Sequence, residues 1–297
     1  MGLVEGRVAI VTGAGRGIGA GIARRLAQEG AAVVVNDLGV ELDGTGRDTS
    51  PGQQVVDEIR QAGGRAVANP ADVADHEAAA GLVRLAIEEF GRLDVLVNCA
   101  GILRDRMVFN MAEEDWDAVV RVHLRGTFNT TKHAAAHWRE QANPQGHYRI
   151  INFTSPSGLY GSPGQPNYAA AKMGIVGLTY SCANALARYG VTTNAISPVA
   201  QTRMTSTIPT ERRRGESDDT RAPENVAPIV VYVASEKSDW LTGQVIGAGG
   251  YRVSLYSRPT VLEQVTSEGP WDLQGLATAV EESFKPVLEQ KVPVNLA

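Results

Sequence analysis

The feature that most constrains the fold is a regular alternation of short β-branched runs with longer amphipathic stretches. The short runs, such as Val33-Val34-Val35, are continuously apolar, as in strands that are covered by helices on both faces. Strands that alternate with helices are joined as parallel neighbours by right-handed crossovers. The pattern therefore predicts an α/β fold, a single doubly wound parallel sheet with helices on both faces and a C-terminal extension.

Seven strands are predicted in this sheet, and most of them are continuous apolar runs between helical stretches: Arg7–Thr12, Ala32–Asn36, Arg65–Asn69, Val95–Asn98, Tyr148–Phe153, Thr192–Ile196 and Gln244–Gly247. We assign residues 1–250 to one domain and residues 251–297 to an extension that packs on this domain or at a subunit interface.

Two polar segments, 38–51 and 201–222, follow strands at the carboxyl edge, where such sheets bind ligands. We expect the second segment to form a mobile lid.

The composition excludes several classes of function. A formal charge of −5 argues against nucleic acid as a ligand. No apolar run reaches the roughly 18 residues of a membrane span, and neither a signal peptide nor a peroxisomal C-terminus is present, so we expect a cytoplasmic protein. His133 and His137 are four residues apart, but no glutamate completes an H-E-x-x-H motif, so we predict no metal site.

A glycine-rich turn lies between the first strand and the first helix. It reads Thr-Gly-Ala-Gly-Arg-Gly-Ile-Gly over residues 12–19. Glycine permits a tight turn and lets the backbone approach a pyrophosphate, which rests on the helix N-terminus. The turn predicts a Rossmann-type dinucleotide site with these binding residues: Gly13, Arg16, Gly17, Ile18 and Gly19.

An acidic residue, Asp37, follows the second strand, 18 residues beyond Gly19. A carboxylate there accepts hydrogen bonds from the adenosine ribose and repels a 2′-phosphate, so it favours NAD over NADP. Arg16 is the counter-argument, because a basic residue in this loop can pair with that phosphate. The alternative for Asp37 itself is a residue that only forms a turn.

Two further strand ends offer cofactor contacts. Asp72 and Val73 follow the third strand and could lie beside the adenine, although a helix N-cap is a rival role because a helix begins at Asp75. Asn98 ends the fourth strand, before small residues that leave room for the cofactor. It could brace neighbouring strands or touch the adenosine ribose.

The catalytic candidates are Ser155, Tyr168 and Lys172. Tyr168 and Lys172 are four residues apart on one helix face, and Ser155 ends the preceding strand. Oxidation of an alcohol by hydride loss needs a base near the hydroxyl oxygen. A positive charge on Lys172 and on an oxidised nicotinamide would lower the pKa of Tyr168 and make the phenol such a base, and both Tyr168 and Lys172 would also touch the cofactor. Ser155 would hold the substrate oxygen.

Together, TGAGRGIG at 12–19, NCAG at 98–101 and S-x12-Y-x3-K at 155–172 resemble the short-chain dehydrogenase/reductase family. A closer likeness is to the (3R)-hydroxyacyl-CoA dehydrogenase domain of peroxisomal multifunctional enzymes type 2, which are 17β-hydroxysteroid dehydrogenase type 4-like. It is carried by VVVNDLG at 33–39, AGILRDRM at 100–107 and YGSPGQPNYAAAK at 160–172. The likeness implies NAD-dependent oxidation of a (3R)-hydroxyacyl-CoA, a hydroxysteroid or a steroid-CoA, in a homodimer or homotetramer.

The resemblance also suggests roles for three residues that depart from the family pattern or follow it loosely. His123 stands where many members carry an asparagine of a proton relay; a packing histidine is the alternative. Val199 replaces the usual glycine after Pro198 and would still offer its backbone to the carboxamide of the nicotinamide. Thr202 would cap the phosphates.

Two alternative functions stay open at this stage. The first is an NADPH-dependent 3-oxoacyl reductase, which shares the whole catalytic set. The second is a non-catalytic NAD-sensing binding protein, although such proteins commonly lose the tyrosine or the lysine that this chain keeps. The segments that would line the substrate pocket do not distinguish an acyl-CoA from a steroid.

Overall fold

The structure is a computed structural model, and it describes residues 2–200 and 218–289. Two compact units are present, Met1–Tyr256 and Ser257–Ala297. The first unit holds the sheet and eight helices, and the second holds one helix, α9 (Leu273–Glu289), within the described residues. In the part of the chain that the structure describes, no helix has both the length and the apolar character needed to cross a membrane.

The first unit begins with a strict alternation of strands and helices: β1 (Val8–Thr12), α1 (Gly17–Gln28), β2 (Ala32–Asn36), α2 (Ser50–Gln61), β3 (Arg65–Asn69), α3 (His76–Phe90) and β4 (Val95–Asn98). The remaining elements are α4 (Glu113–Val120), α5 (Gly126–Gln141), β5 (Tyr148–Phe153), α6 (Pro156–Tyr160), α7 (Pro166–Leu186), β6 (Val191–Val199), α8 (Ala227–Ala234), β7 (Val245–Gly249) and β8 (Arg252–Leu255). Seven of these strands are the ones that the sequence predicts.

The strand order β3-β2-β1-β4-β5-β6-β7-β8 confirms the doubly wound sheet with its helix layers. Neighbours from β3 to β7 run parallel. Two apolar clusters of buried residues pack on the sheet. The order reverses between β1 and β4, and the crevice outside the carboxyl ends of these two strands is where such a sheet binds a ligand.

The number of strands differs from the predicted seven, because an eighth strand closes the sheet edge. β8 runs antiparallel to β7, and Gly249 faces Arg252 across a two-residue loop. Gly250 and Tyr251 in this loop have φ angles of 56° and 60°, which is the type I′ turn that matches the twist of a hairpin. The four residues of β8 are all exposed, so the strand lacks the apolar pattern by which the others are recognised.

The sequence pattern predicts two separate helices, near Glu113–Arg121 and Thr127–Gln141, and the structure differs from this prediction. The sequence pattern breaks after Arg121, yet the chain continues through a π-helical turn, Arg121–Arg125, directly into α5. A π-turn inserts one extra residue into a helix and commonly lies at a functional site. In this protein the π-turn places His123 near the sheet edge, where the side chain is only 2% exposed.

Candidate active site

A cavity of about 550 Å³ opens at the carboxyl edge of the sheet, above the switch between β1 and β4. Its walls bring together eleven of the predicted site residues: Gly13, Arg16, Gly17, Ile18, Gly19, Asp37, Asp72, Val73, His123, Tyr168 and Lys172. The glycine-rich turn lies at one end, and the tyrosine and lysine lie at the other. One cleft therefore joins the predicted dinucleotide site to the predicted catalytic residues.

The glycine-rich turn is shaped to receive a phosphate. Gly13 has a φ of 64°, and a methyl group on it would lie 2.7 Å from the Cα atom of Ala100. A methyl group on Gly19 would lie 2.1 Å from the carbonyl oxygen of Gly13. No side chain caps the start of α1 at Arg16, so the first N–H groups of this helix face the cavity as an anion site.

Asp37 is held by the backbone on both sides. Gly15 and Gly39 each donate a backbone hydrogen bond of 2.7 Å to one of its two carboxylate oxygens. The side chain thus shapes the turn, as the alternative reading expected, and it also lines the cavity. Each carboxylate oxygen has a second lone pair, so Asp37 can still accept hydrogen bonds from a ribose hydroxyl.

The polar segment after β2 closes over the cavity. We call residues 38–49 the insert. Its Leu42 carbonyl accepts a 2.8 Å hydrogen bond from the Leu103 N–H, and its Asp43 carbonyl accepts one of 2.8 Å from Arg104 Nε. Asp48 of the insert lies 3.8 Å from an Arg16 guanidinium nitrogen. The insert therefore spans from the end of β2 to the segment after β4 and gives Arg16 an acidic neighbour.

Asp72 and Val73 both line the cavity, beside the end of β3. Asp72 accepts a 2.9 Å hydrogen bond from the Ala74 N–H and forms a 2.6 Å ion pair with Arg121. The cap of α3 is the neighbouring Asp75, whose side chain accepts from the Ala78 N–H at 2.7 Å. The rival role of helix cap thus belongs to Asp75, and Asp72 remains available at the cavity wall.

Asn98 lies beneath the cavity and braces the sheet. Its amide nitrogen donates to Asn152 Oδ1 at 2.9 Å and to Thr131 Oγ1 at 3.2 Å. Its Oδ1 accepts a 2.6 Å hydrogen bond from Thr130. These contacts join β4 to β5 and α5, so the structure favours the bracing role over a direct contact with the cofactor.

Ser155, Tyr168 and Lys172 converge at the far end of the cleft. Ser155 is the N-cap of α6, and its hydroxyl lies close enough to the phenol of Tyr168 to lower the pKa of that group. Lys172 is buried one helical turn after Tyr168, with Nζ 5.5 Å from the tyrosine ring centre. Lys172 Nζ donates a 2.7 Å hydrogen bond to the Phe153 carbonyl at the end of β5. The predicted trio therefore forms one contiguous group.

The pKa of Tyr168 is governed first by burial in the protein. Burial raises the pKa of the phenol to about 12, although the hydrogen bond from Ser155 acts to lower it. Burial also lowers the pKa of Lys172 to about 8, so this side chain is still mostly a cation at pH 7. The protein's own groups therefore keep the phenol protonated, because desolvation of a tyrosinate outweighs the ammonium.

His123 packs beside the catalytic tyrosine. Its ring meets the Tyr168 ring edge-on with centres 5.1 Å apart, and Nε2 lies 3.1 Å from the Ile102 nitrogen and 2.8 Å from the Ile102 oxygen. Burial lowers the pKa of His123 to about 3, so the imidazole is neutral at pH 7. His123 Nδ1 has no hydrogen-bond partner among the described residues. The relay role thus stays a prediction, in a position that also suits packing.

The last two predicted residues belong to the end of β6. Val199 ends that strand and is 39% exposed, and its neighbour Pro198 lines the cavity. The predicted contact of the Val199 backbone with a carboxamide stays a prediction. Thr202 and most of the predicted lid lie outside the described residues.

Several residues of the cavity wall were given no role in the sequence analysis, although two of them lie within the motifs quoted there. Arg104 and Arg121 line the cavity and fix the insert and Asp72, respectively. Cys99 also lines it, and burial raises the pKa of its thiol to about 12. Only the position directly after β4 could have pointed to Arg104, because loops at this edge line ligand sites.

Comparison with known proteins gives a consistent result. Residues 7–213 match the profile of the short chain dehydrogenase family. The hydroxyacyl-CoA dehydrogenase ChsB1 of Mycobacterium tuberculosis is 42% identical over 293 residues, which cover 95% of this chain and 89% of that protein. The peroxisomal multifunctional enzyme type 2 of mouse is 44% identical over 246 residues, which cover 82% of this chain but only 32% of the mouse protein.

A solved structure is similar over nearly the whole chain. The crystal structure of a short chain dehydrogenase from Mycobacterium avium is 48% identical in sequence and has a TM-score of 0.85. The match covers 98% of both chains.

Proposed function

The chain belongs to the short-chain dehydrogenase family, whose members bind NAD or NADP, and we propose that it oxidises a (3R)-hydroxyacyl-CoA to the 3-ketone with NAD. The observation that carries the proposal is the single cleft in which a glycine-lined phosphate site leads to the group Ser155, Tyr168 and Lys172. The substrate class is supported by relatives that are named for hydroxyacyl-CoA dehydrogenation and for peroxisomal multifunctional activity. A hydroxysteroid or a steroid-CoA is the neighbouring possibility within the same reaction.

The chemistry follows from the positions of the three side chains. The Ser155 hydroxyl holds the substrate oxygen next to the phenol, and Tyr168 removes the hydroxyl proton as the carbon loses its hydride. The oxidised nicotinamide, when bound, accepts that hydride and adds a positive charge beside the phenol. Lys172 supplies a second positive charge one helical turn away. Together these charges oppose the desolvation that keeps the phenol protonated.

Two contacts favour NAD over NADP. The Asp37 carboxylate lies at the cavity wall, where it would repel the 2′-phosphate of NADP. Arg16, the residue that could pair with this phosphate, has Asp48 of the insert as a neighbour at 3.8 Å. We therefore propose NAD as the cofactor.

Replacing Asp37 with asparagine tests this preference. The variant removes the negative charge but keeps one oxygen that can accept a backbone N–H, so the turn at Gly15 should persist. We expect the ratio of kcat/KM with NAD to that with NADP to fall about tenfold or more, since each tenfold is about 1.4 kcal/mol of lost discrimination. Steady-state kinetics with both cofactors measure it.

The control for this experiment is Asp57→Asn on α2, an exposed carboxylate that accepts a 2.8 Å hydrogen bond from Gln53 of the same helix. It should leave the ratio unchanged. An Asp37→Asn ratio equal to that of the unaltered protein would reject Asp37 as the determinant.

The substrate is tested by assaying oxidation of (3R)- and (3S)-hydroxyacyl-CoAs and 17β-hydroxysteroids with NAD. We expect the highest kcat/KM with a (3R)-hydroxyacyl-CoA. A higher kcat/KM with a 17β-hydroxysteroid would instead identify a steroid as the substrate of the same oxidation. A strong preference for reducing 3-oxoacyl substrates with NADPH would instead establish the alternative biosynthetic function.

The resemblance also predicts a homodimer or homotetramer, and the sequence signals favour a cytoplasmic location. We keep both as proposals beside the function, together with the packing of the C-terminal extension at a subunit interface or on its own domain. Light scattering of the purified protein would decide the first of them.

A further inference from the structure

The segment that follows β4 is bound to the start of α7. The Arg106 N–H donates to the Gly164 carbonyl at 2.8 Å, and Asn167 Nδ2 donates to the Arg104 carbonyl at 3.0 Å. Between these two backbone contacts lies Asp105, whose side chain turns toward the same connection. The segment thus reaches the region between Ser155 and Tyr168.

A chain of hydrogen bonds leads from Asp105 to the catalytic serine. Gln165 Nε2 donates to Asp105 Oδ2 at 2.8 Å, and Ser157 Oγ donates to Gln165 Oε1 at 2.9 Å. The Ser157 N–H then donates to Ser155 Oγ at 3.2 Å. Because this N–H occupies an acceptor site of Ser155, the hydroxyl hydrogen of Ser155 is directed elsewhere, toward the phenol of Tyr168.

The direction of this chain depends on the carboxylate. A carboxylate only accepts hydrogen bonds, so Asp105 fixes the Gln165 amide with its nitrogen toward Asp105 and its oxygen toward Ser157. A neutral group could bind the amide in either orientation, and the Ser157 hydroxyl would then lose its fixed acceptor. Asp105 therefore fixes the donors and acceptors as far as the Ser157 hydroxyl, and it holds in place the residue whose backbone N–H donates to Ser155 Oγ.

The negative charge of Asp105 also lies in a partly buried position, which disfavours a charge. Its Oδ1 is buried without a hydrogen-bond partner among the described residues, and burial raises the pKa of the carboxyl above its usual value. The titratable groups around Tyr168 are Lys172 on its own helix, His123 on the π-turn, Cys99 after β4, and Asp105. Burial is the main cause of the high pKa of Tyr168, and the charge of Asp105 adds to it.

We propose that Asp105 is a positioning residue of the active site, which orients the Ser155 hydroxyl through Gln165 and Ser157 and opposes loss of the proton from Tyr168. The inference rests on the proposed acid/base role of Tyr168. The charge of Asp105 adds to the effect of burial on Tyr168, and the positive charges of Lys172 and of a bound nicotinamide would oppose both. Asp105 makes no hydrogen bond to Ser155 or Tyr168 among the described residues. It acts on them through its hydrogen bond with Gln165 and through its charge.

The charge is tested with Asp105→Asn, which keeps an acceptor for Gln165 and removes the negative charge. The readout is the ¹³C NMR titration of Tyr168 in protein labelled with [ζ-¹³C]tyrosine and saturated with NAD, with the signal assigned through Tyr168→Phe. We expect the pKa of Tyr168 to fall by about half a unit to one unit. The matched control, Asp115→Asn, removes a carboxylate that pairs with Arg104 at 3.7 Å and should leave the titration unchanged.

The chain of hydrogen bonds is tested with Gln165→Leu, which keeps the Asp105 charge and breaks the link to Ser157. We expect kcat to fall about tenfold, while KM for NAD and the melting temperature stay near normal, because only the orientation of Ser155 relaxes. A Gln165→Leu protein with unaltered kcat would overturn the positioning role, and it would do so even if Asp105→Asn failed to fold.

An Asp105→Asn titration identical to that of the unaltered protein, or an equal shift in Asp115→Asn, would also overturn the inference. The NMR measurement needs no substrate. If the protein failed to oxidise any hydroxyacyl-CoA, the proposed function would fall, while the titration would still decide the role of Asp105.

Discussion

Replacing Tyr168 with phenylalanine is expected to lower the rate of hydride transfer by roughly 10²- to 10⁴-fold, the usual contribution of a general base or acid. The variant removes a single oxygen. The ring keeps its edge-on contact with His123 at 5.1 Å, so the shape of the cleft is retained. The substrate hydroxyl then has no acceptor for its proton beside Ser155.

Stopped-flow measurement of NADH formation in a single turnover gives this rate without interference from product release. The dissociation constant for NAD should change little, because the glycine-rich turn and Asp37 are untouched. Tyr189→Phe, just beyond the C-terminal end of α7, serves as the matched control and should react like the unaltered protein. Equal rates in Tyr168→Phe and the unaltered protein would reject the mechanism.

Replacing Lys172 with methionine is expected to lower the same rate by about 100- to 1000-fold at pH 7. Lys172 is mostly charged at that pH, since its pKa is about 8. Loss of a buried positive charge raises the pKa of a neighbouring phenol, and each unit of that rise lowers the reactive tyrosinate tenfold. Methionine fills the same apolar space, and the Thr154 hydroxyl keeps its 2.9 Å bond to the backbone carbonyl of residue 172.

The Lys172→Met rate should recover in part as the pH is raised, because the tyrosinate population grows with pH. Partial recovery separates a lost charge from a collapsed site, which no change of pH would repair. The exposed Lys132→Met variant on α5 is the control, and we expect it to react normally. A Lys172→Met protein with an unaltered rate and pH dependence would contradict the assigned role.

Much of the fold and of the candidate site follows from local sequence patterns. Most of the seven predicted strands are continuous apolar runs because helices cover both of their faces, and this burial is visible residue by residue in β1, β2 and β4. The glycine-rich turn is recognisable because its close backbone contacts tolerate no Cβ at Gly13 or Gly19. Tyr168 and Lys172 meet because their spacing is one helical turn.

The features that the sequence does not reveal depend on tertiary contacts. β8 is exposed along its whole length, and its turn contains Tyr251 at a φ of 60°, where glycine or asparagine would have signalled a hairpin. The π-turn at Arg121–Arg125 accommodates one extra residue within a helix. The stretch is too short for the periodicity of its apolar residues to reveal this. Both features are set by what packs around them.

The electrostatics of the site follow from the sequence only in part, for a related reason. From the sequence, the ammonium of Lys172 is the obvious influence on Tyr168, and it would lower the pKa. In the structure, burial and the distant-in-sequence Asp105 act the other way. Neither the depth of the phenol nor the hydrogen bonds from Asp105 to Ser155 can be read from spacing, because they join segments about 50 residues apart.

The most direct test of the central claim is the pH dependence of single-turnover NADH formation from a (3R)-hydroxyacyl-CoA. We predict that the rate rises with pH along one ionisation, that this ionisation moves to higher pH in Lys172→Met, and that it disappears in Tyr168→Phe. The same ionisation in Tyr168→Phe, at the same pH and with a similar rate, would show that another group takes the proton.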